Sequence, residues 1–172
     1  MVVIETDRLL LRQFEPDDAD ALDRIFTDPQ VMLCGGVKSP EWVRQWLNSY
    51  LDTHYTRWGF GMWAVIEKTT NNLIGYCGLS RYPDRCANHE AEIGYRLARP
   101  HWHRGLATEA ARATTTYAID VLKRQRLIAI IDPENRASIH VAKKVGFQFE
   151  KEVMFEGYTH PDHLYALQAA TA

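Results

Sequence analysis

The stretch EIGYRLARPHWHRGLATEAARATTTYAIDVLKRQRLIAIID, residues 92–132, decides how this chain folds. Residues 90–97 read as a strand, and Pro100 and Gly105 punctuate the short loop behind it. Ala107, Ala110, Ala111, Thr114, Ala118, Val121 and Leu122 then recur at helical spacing. After a basic stretch, Lys123 to Arg126, residues 127–131 form a continuous apolar run of the kind found in buried parallel strands. Strand, helix and buried strand imply a right-handed βαβ crossover. The small residues on the helix face let it sit close to the sheet.

Downstream, Asn135 is a good N-cap for a helix that closes at Gly146, the residue type best suited to a left-handed terminus. Phe147, Phe149, Val153 and Phe155 alternate with polar residues as a strand, and residues 163–168 supply a last antiparallel strand. Upstream, residues 62–67 and 73–79 form a hairpin across the polar turn 68–72. Ser39 and Pro40 open a helix with an aromatic face of Trp42, Trp46 and Tyr50, and Pro16 opens an earlier one whose first turn is acidic. Residues 3–13 read as one strand. The expectation is a mixed α/β fold: about seven strands in a mostly antiparallel sheet, one parallel crossover and about four helices, as a single domain over residues 1–172.

The chain has 172 residues, 46% hydrophobic and 24% charged, which suits an ordinary globular domain. Its 20 basic and 22 acidic side chains give net charge −2, far from the basic balance of a phosphate-backbone binder, so no nucleic-acid partner is expected. No apolar stretch approaches a membrane span, and a cytoplasmic location is expected. Cys34, Cys77 and Cys86 are odd in number and lack C-x-x-C spacing, which suggests reduced thiols. Neither the pair His101 and His103 nor the pair His160 and His163 has an evident third ligand, so no metal is expected.

The loop at residues 100–110 lies between a strand end and a helix start, where exposed N–H groups and the helix dipole favour an anion such as a pyrophosphate. Gly105 permits close backbone approach, and Arg104 adds a formal positive charge. A plain tight turn accounts for the loop equally well. Its spacing matches neither the nucleotide-hydrolase loop nor the dinucleotide fingerprint.

Glu92-Ile93-Gly94-Tyr95-Arg96-Leu97, Trp102-His103-Arg104-Gly105-Leu106-Ala107-Thr108-Glu109-Ala110, Asn135-Arg136-Ala137-Ser138 and Lys144-Val145-Gly146-Phe147 together resemble the motifs of the GCN5-related N-acetyltransferases. The opening Thr6-Asp7-Arg8-Leu9-Leu10-Leu11-Arg12 resembles the branch that acetylates ribosomal-protein N-termini and small amines, the RimJ/RimL-like branch. The resemblance implies acetyl-coenzyme A as co-substrate, an amine acceptor (a protein N-terminus or a small molecule) and a monomer or homodimer. It places the pyrophosphate on the loop from His103 through Arg104, Gly105, Leu106 and Ala107 to Thr108. The pantetheine arm would lie beside Tyr95, Arg96 and Leu97 and bond Asn135, with Gly94 suited to a bulge where two strands splay.

Removing a proton from the acceptor ammonium requires a base. The resemblance makes Glu92 the first candidate, with Glu90 and a water chain as competitors. The leaving thiolate would be helped by a hydroxyl. Ala142 stands where many family members have a tyrosine, and the resemblance then points to Ser138, since the resembling branch often has a serine there. The resemblance implies an acceptor cleft built from the first two helices and the loops near residues 81–88 and 157–162, lined by Trp42, Trp58 and Tyr82. The alternative is a coenzyme A-holding domain without turnover.

Overall fold

A strand (Glu90–Leu97), a 15-residue helix (Leu106–Asp120) and a second strand (Arg126–Ile131) form the expected crossover, and the two strands pair in parallel. The computed structural model describes residues 1–33, 35–81 and 90–169. In chain order the strands are β1 (Val2–Glu5), β2 (Leu9–Arg12), β3 (Met62–Glu67), β4 (Asn72–Ser80), β5 (Glu90–Leu97), β6 (Arg126–Ile131), β7 (Gln148–Val153) and β8 (Asp162–Gln168). The helices are α1 (Ala19–Phe26), α2 (Pro40–Ser49), α3 (Tyr55–Trp58), α4 (Leu106–Asp120) and α5 (Arg136–Val145). One eight-stranded sheet runs β1-β2-β3-β4-β5-β6-β8-β7. Its pairs are antiparallel except β5 with β6.

Strand alternation divides the sheet into two faces. On one, Ala91, Ile93, Leu97, Leu127, Ala129 and Ile131 share a core with Leu106, Ala110, Ala111 and Ala118 of α4 and Ala142 of α5. Alanines at the contact bring α4 close to the strands, as the sequence implied. On the other, Met62, Ala64, Ile66 and Tyr76 pack against Leu22 and Phe26 of α1 and Val43 and Leu47 of α2. Phe26 stacks on Tyr76 at 5.6 Å, and Trp46 meets Phe14, Phe26, Tyr50 and Tyr76. The aromatic face of α2 is therefore chiefly core.

Several expectations need correction. Residues 3–13 are not one strand: Thr6 reverses the chain, its N–H donating to the Leu9 carbonyl at 3.0 Å and its hydroxyl oxygen accepting the Leu9 N–H at 3.0 Å. That turn splits the segment into β1 and β2 and raises the strand count to eight. The fifth helix is α3, which follows α2 through a π-helical turn, Tyr50–His54, and closes on Gly59 at φ +72°. Val121 lies beyond the end of α4 and is exposed. Nor does Gly94 form a bulge. It pairs in regular register with Gly78. Its missing side chain leaves room for Met62, whose Cε would lie 2.6 Å from a Cβ built there.

The splay itself is real and lies on the other side of β5. Only Glu90, Ala91 and Glu92 pair with β6, opposite Arg126, Leu127 and Ile128. Beyond Glu92 the strand stays paired with β4 as far as Leu97 opposite Gly75. A slot therefore opens between β5 and β6.

Candidate functional site

The turn that feeds α4 is fixed by its own backbone and by distant side chains. Trp102 donates its indole N–H to the Leu97 carbonyl at 2.7 Å. His103 and Gly105 then take left-handed conformations, at φ +56° and +76°. A glycine suits the second of these, since a Cβ there is strained. The Glu109 N–H donates to the Gly105 carbonyl at 3.0 Å, the first bond of the helical ladder. The N–H groups of Gly105, Leu106, Ala107 and Thr108 lie ahead of that ladder, and no side chain caps the helix. This contrasts with α5, where Asn135 Oδ1 accepts the Ser138 N–H at 3.1 Å. An uncapped helix start with four forward N–H groups is a cradle for phosphate oxygens, so these residues fit a pyrophosphate-bearing ligand.

The charge expected from Arg104 is spent elsewhere. Its Nη2 donates to Glu67 Oε1 at 2.6 Å, and its Nη1 lies 3.2 Å from His101 Nδ1. Burial pushes the Glu67 carboxyl up, but the bonds from Arg104 and Thr70 outweigh it and hold the group below the usual glutamate range. The guanidinium near Gly105 is that of Arg8, whose Nη2 would lie 3.6 Å from a Cβ on Gly105. What the turn offers an anion is thus backbone dipoles more than the charge of Arg104.

The slot widens into a cleft of about 580 Å³. Its walls include Glu92, Gly94, Tyr95 and Arg96 of β5, Ala129 to Asp132 on the β6 side, Asn135 and Ser138 at the start of α5, and Gly157, Tyr158, Thr159, His160 and Asp162 before and at β8. Tyr95 and Ser138 stand together, the phenol donating to the Ser138 carbonyl at 2.9 Å. Burial pushes the Tyr95 hydroxyl well above its ordinary value, against the pull of that bond, so the phenol stays protonated. Arg96 lies two residues beyond Gly94 and points its Nη1 at the Met32 sulfur, 2.9 Å away. Alternation puts Glu92 on that same face, the face of α1 and α2, whereas Tyr95 belongs to the α4 and α5 face. The slot joins the two.

Among the sequence candidates, Glu92, Tyr95, Arg96, Asn135 and Ser138 meet in this cleft, and residues 103–108 form the turn ahead of α4. Leu97 is buried, and its carbonyl holds Trp102. Glu90 is engaged by Arg126, whose Nε donates to it at 2.6 Å, which weakens it as a competing base. Trp42 packs on Phe26 and Trp46 under Lys38, and Trp58 lies beneath the guanidinium groups of Arg57 and Arg81. Neither tryptophan is among the residues lining the cleft. Tyr82 lies outside the described residues. The hydroxyl absent at Ala142 is not replaced there, since that residue is buried.

Sequence reading missed an acidic group on the cleft wall. Asp132, His160 and Asp162 bring ligand-type atoms within 4.8 Å of one another, with His160 Nε2 3.7 Å from Asp132 Oδ2. The signal available was the position of Asp132 directly after an apolar strand. The resemblance brought the 157–162 loop to the cleft, but nothing in the sequence showed that it meets Asp132 there.

Residues 8–148 match the acetyltransferase (GNAT) domain family, and the chain belongs to that family of acetyltransferases. The protein YkkB of Bacillus subtilis (strain 168), described only as uncharacterized, is 37% identical over 151 residues, 86% of each chain. A GNAT-family acetyltransferase from Bacillus anthracis shares the fold with a TM-score of 0.83 at 30% identity, over 98% of both chains. RimL, a ribosomal L7/L12 alpha-N-protein acetyltransferase in complex with coenzyme A, superposes with a TM-score of 0.80 over 98% of both chains; at 20% identity this likeness concerns the fold alone. No helix among the described residues is long and apolar enough to cross a membrane.

Proposed function

We propose that the enzyme uses acetyl-coenzyme A to acetylate a primary amine by direct attack in a ternary complex, and that small cationic amines are preferred over peptide N-termini. The observation that carries this reading is the slot beyond Glu92. Its β5 edge leads on to the turn ahead of α4, an uncapped helix start suited to phosphates, and its cleft wall bears Glu92, Asp132, His160 and Asp162 beside the guanidinium of Arg96. Such a wall attracts an ammonium and disfavours an anionic acceptor.

The co-substrate supplies the acetyl group as a thioester. The N–H groups of residues 105–108 hold its phosphates, and the β6-facing edge of residues 95–97 offers backbone partners to an extended arm beside Asn135. Glu92 accepts the proton from the acceptor ammonium. The freed nitrogen lone pair forms the C–N bond, and a backbone N–H of residues 94–96 steadies the carbonyl oxygen. As the C–S bond breaks, the electron pair leaves on sulfur, which takes a proton from the hydroxyl of Ser138 or of its neighbour Tyr95, and the second proton of the acceptor nitrogen restores that hydroxyl as the amide forms.

Thiol release from acetyl-coenzyme A, measured with a panel of diamines, monoamines and N-terminal peptides, tests the reading. Turnover should be fastest with the diamines. Glu92→Gln should lower kcat about 100-fold at neutral pH with little change in KM for the donor. Full activity in Glu92→Gln and Ser138→Ala would remove both residues from the mechanism, and an exclusive preference for peptides would overturn the acceptor class.

A further inference from the structure

The crossed ion pairs around the turn of α4 assign a role to a residue almost a hundred positions away. Glu109 sits in the first turn of α4, where a carboxylate suits the helix dipole but would repel a bound phosphate. That carboxylate is held from the β1–β2 turn. Thr6 donates its hydroxyl to Oε1 at 2.6 Å, the Arg8 N–H donates to Oε1 at 3.1 Å, and Arg8 Nε donates to Oε2 at 2.7 Å. Arg8 Nη2 stands 2.6 Å from the same Oε2, and Nη1 donates to the Arg104 carbonyl at 2.9 Å. One guanidinium thus spans the turn from the residue before Gly105 to the first coil of the helix. The opposite side is held by Arg104 on Glu67, at the end of β3.

We propose that Arg8 is a positioning residue for donor binding: it neutralises Glu109 and pins the Arg104 carbonyl, so that the N–H groups of residues 105–108 converge on the phosphates. The role rests on the reading of this turn as the pyrophosphate site. It requires the fork of a guanidinium, since two acceptors at different positions must be reached at once. The hairpin turn that carries Arg8 is itself anchored, as the Arg8 carbonyl accepts the Lys68 N–H at 2.9 Å and Lys68 Nζ reaches Glu5 and the Thr6 carbonyl.

The test compares two donors, acetyl-coenzyme A and acetyl-pantetheine, which lacks the pyrophosphate. In Arg8→Ala, KM for acetyl-coenzyme A should rise about tenfold, the scale of lost charge-assisted bonds, with kcat within about twofold. KM for acetyl-pantetheine should stay within about twofold, because the residue acts only through the phosphate turn. Arg8→Lys should recover part of the loss, keeping the charge but not the bridge. An equal rise for both donors would mark Arg8 as merely structural, and an unchanged KM for acetyl-coenzyme A would mark it as idle; either result overturns the proposal. A wild-type enzyme indifferent to the pyrophosphate would instead overturn the reading of the turn itself, and the role of Arg8 with it.

Discussion

The turn ahead of α4 and the acidic wall of the cleft are built in opposite ways. At the turn the groups offered to a ligand are backbone N–H donors, and the charged side chains around it, Arg8, Glu67, Arg104 and Glu109, are consumed in holding the backbone still. At the wall the offered groups are the side chains themselves, Glu92, Asp132, His160 and Asp162, brought from β5, the end of β6 and the approach to β8. A backbone site accepts one kind of partner and tolerates change in its surroundings only while its shape is kept. A side-chain site changes its preference whenever a residue on its wall changes. On the proposed function, this would separate a fixed donor from an adjustable acceptor in one molecule.

The contrast can be broken most sharply at Gly105. Gly105→Asp adds a carboxylate at φ +76°, beside the forward N–H groups, and should raise KM for acetyl-coenzyme A about 100-fold in steady-state assays while leaving the acceptor preference intact. A comparable loss of acceptor discrimination would mean that the two regions are not separate. At the wall, Asp132→Asn keeps an oxygen for the Glu134 N–H, which Oδ1 accepts at 2.8 Å, and removes only charge. KM for a cationic amine should rise about fivefold, as for a partly solvated ion pair, with donor KM unchanged. An equal effect on neutral and cationic acceptors would show that Asp132 supports shape rather than charge.

The smallest effect concerns acid. Burial raises the Glu109 carboxyl, but bonds from Thr6 and Arg8 prevail and hold it below the ordinary glutamate value. A group depressed in the folded state contributes stability in full above its unfolded value, about 4.3, and loses it as pH falls through the folded value. The Tm difference between wild type and Glu109→Gln should therefore be present at pH 7 and shrink away as pH falls through the folded-state value, in a thermal melt series taken into acid. A difference that persists in acid would assign it to packing.

Most of the fold was legible because its signals are local. The run at residues 127–131, the small-residue face of α4, Asn135 as a cap and Gly146 at φ +118° each declare themselves within a few positions. The β1–β2 reversal was not legible, because Thr6 makes the turn through its hydroxyl with no glycine or proline to announce it. The turn ahead of α4 could be found for the same reason as the fold: Gly105 and a helix start are adjacent in sequence. What holds the turn could not, since Arg8 and Glu109 are joined only by the sheet. The meeting of Asp132 with His160 and Asp162 stayed hidden for that reason too, and Trp42 and Trp58 are engaged in ring and guanidinium contacts away from the residues lining the cleft.

The parallel pairing of β5 with β6 is only three rungs long. Within the sheet it is the one seam between a leaf of five strands and a leaf of three. On the proposed function, an extended ligand arm in the slot would supply rungs that the chain itself leaves out, so that occupancy and resistance to unfolding would become one quantity. The enzyme would then be mechanically complete only when loaded, and each release of product would momentarily reopen the book at its spine.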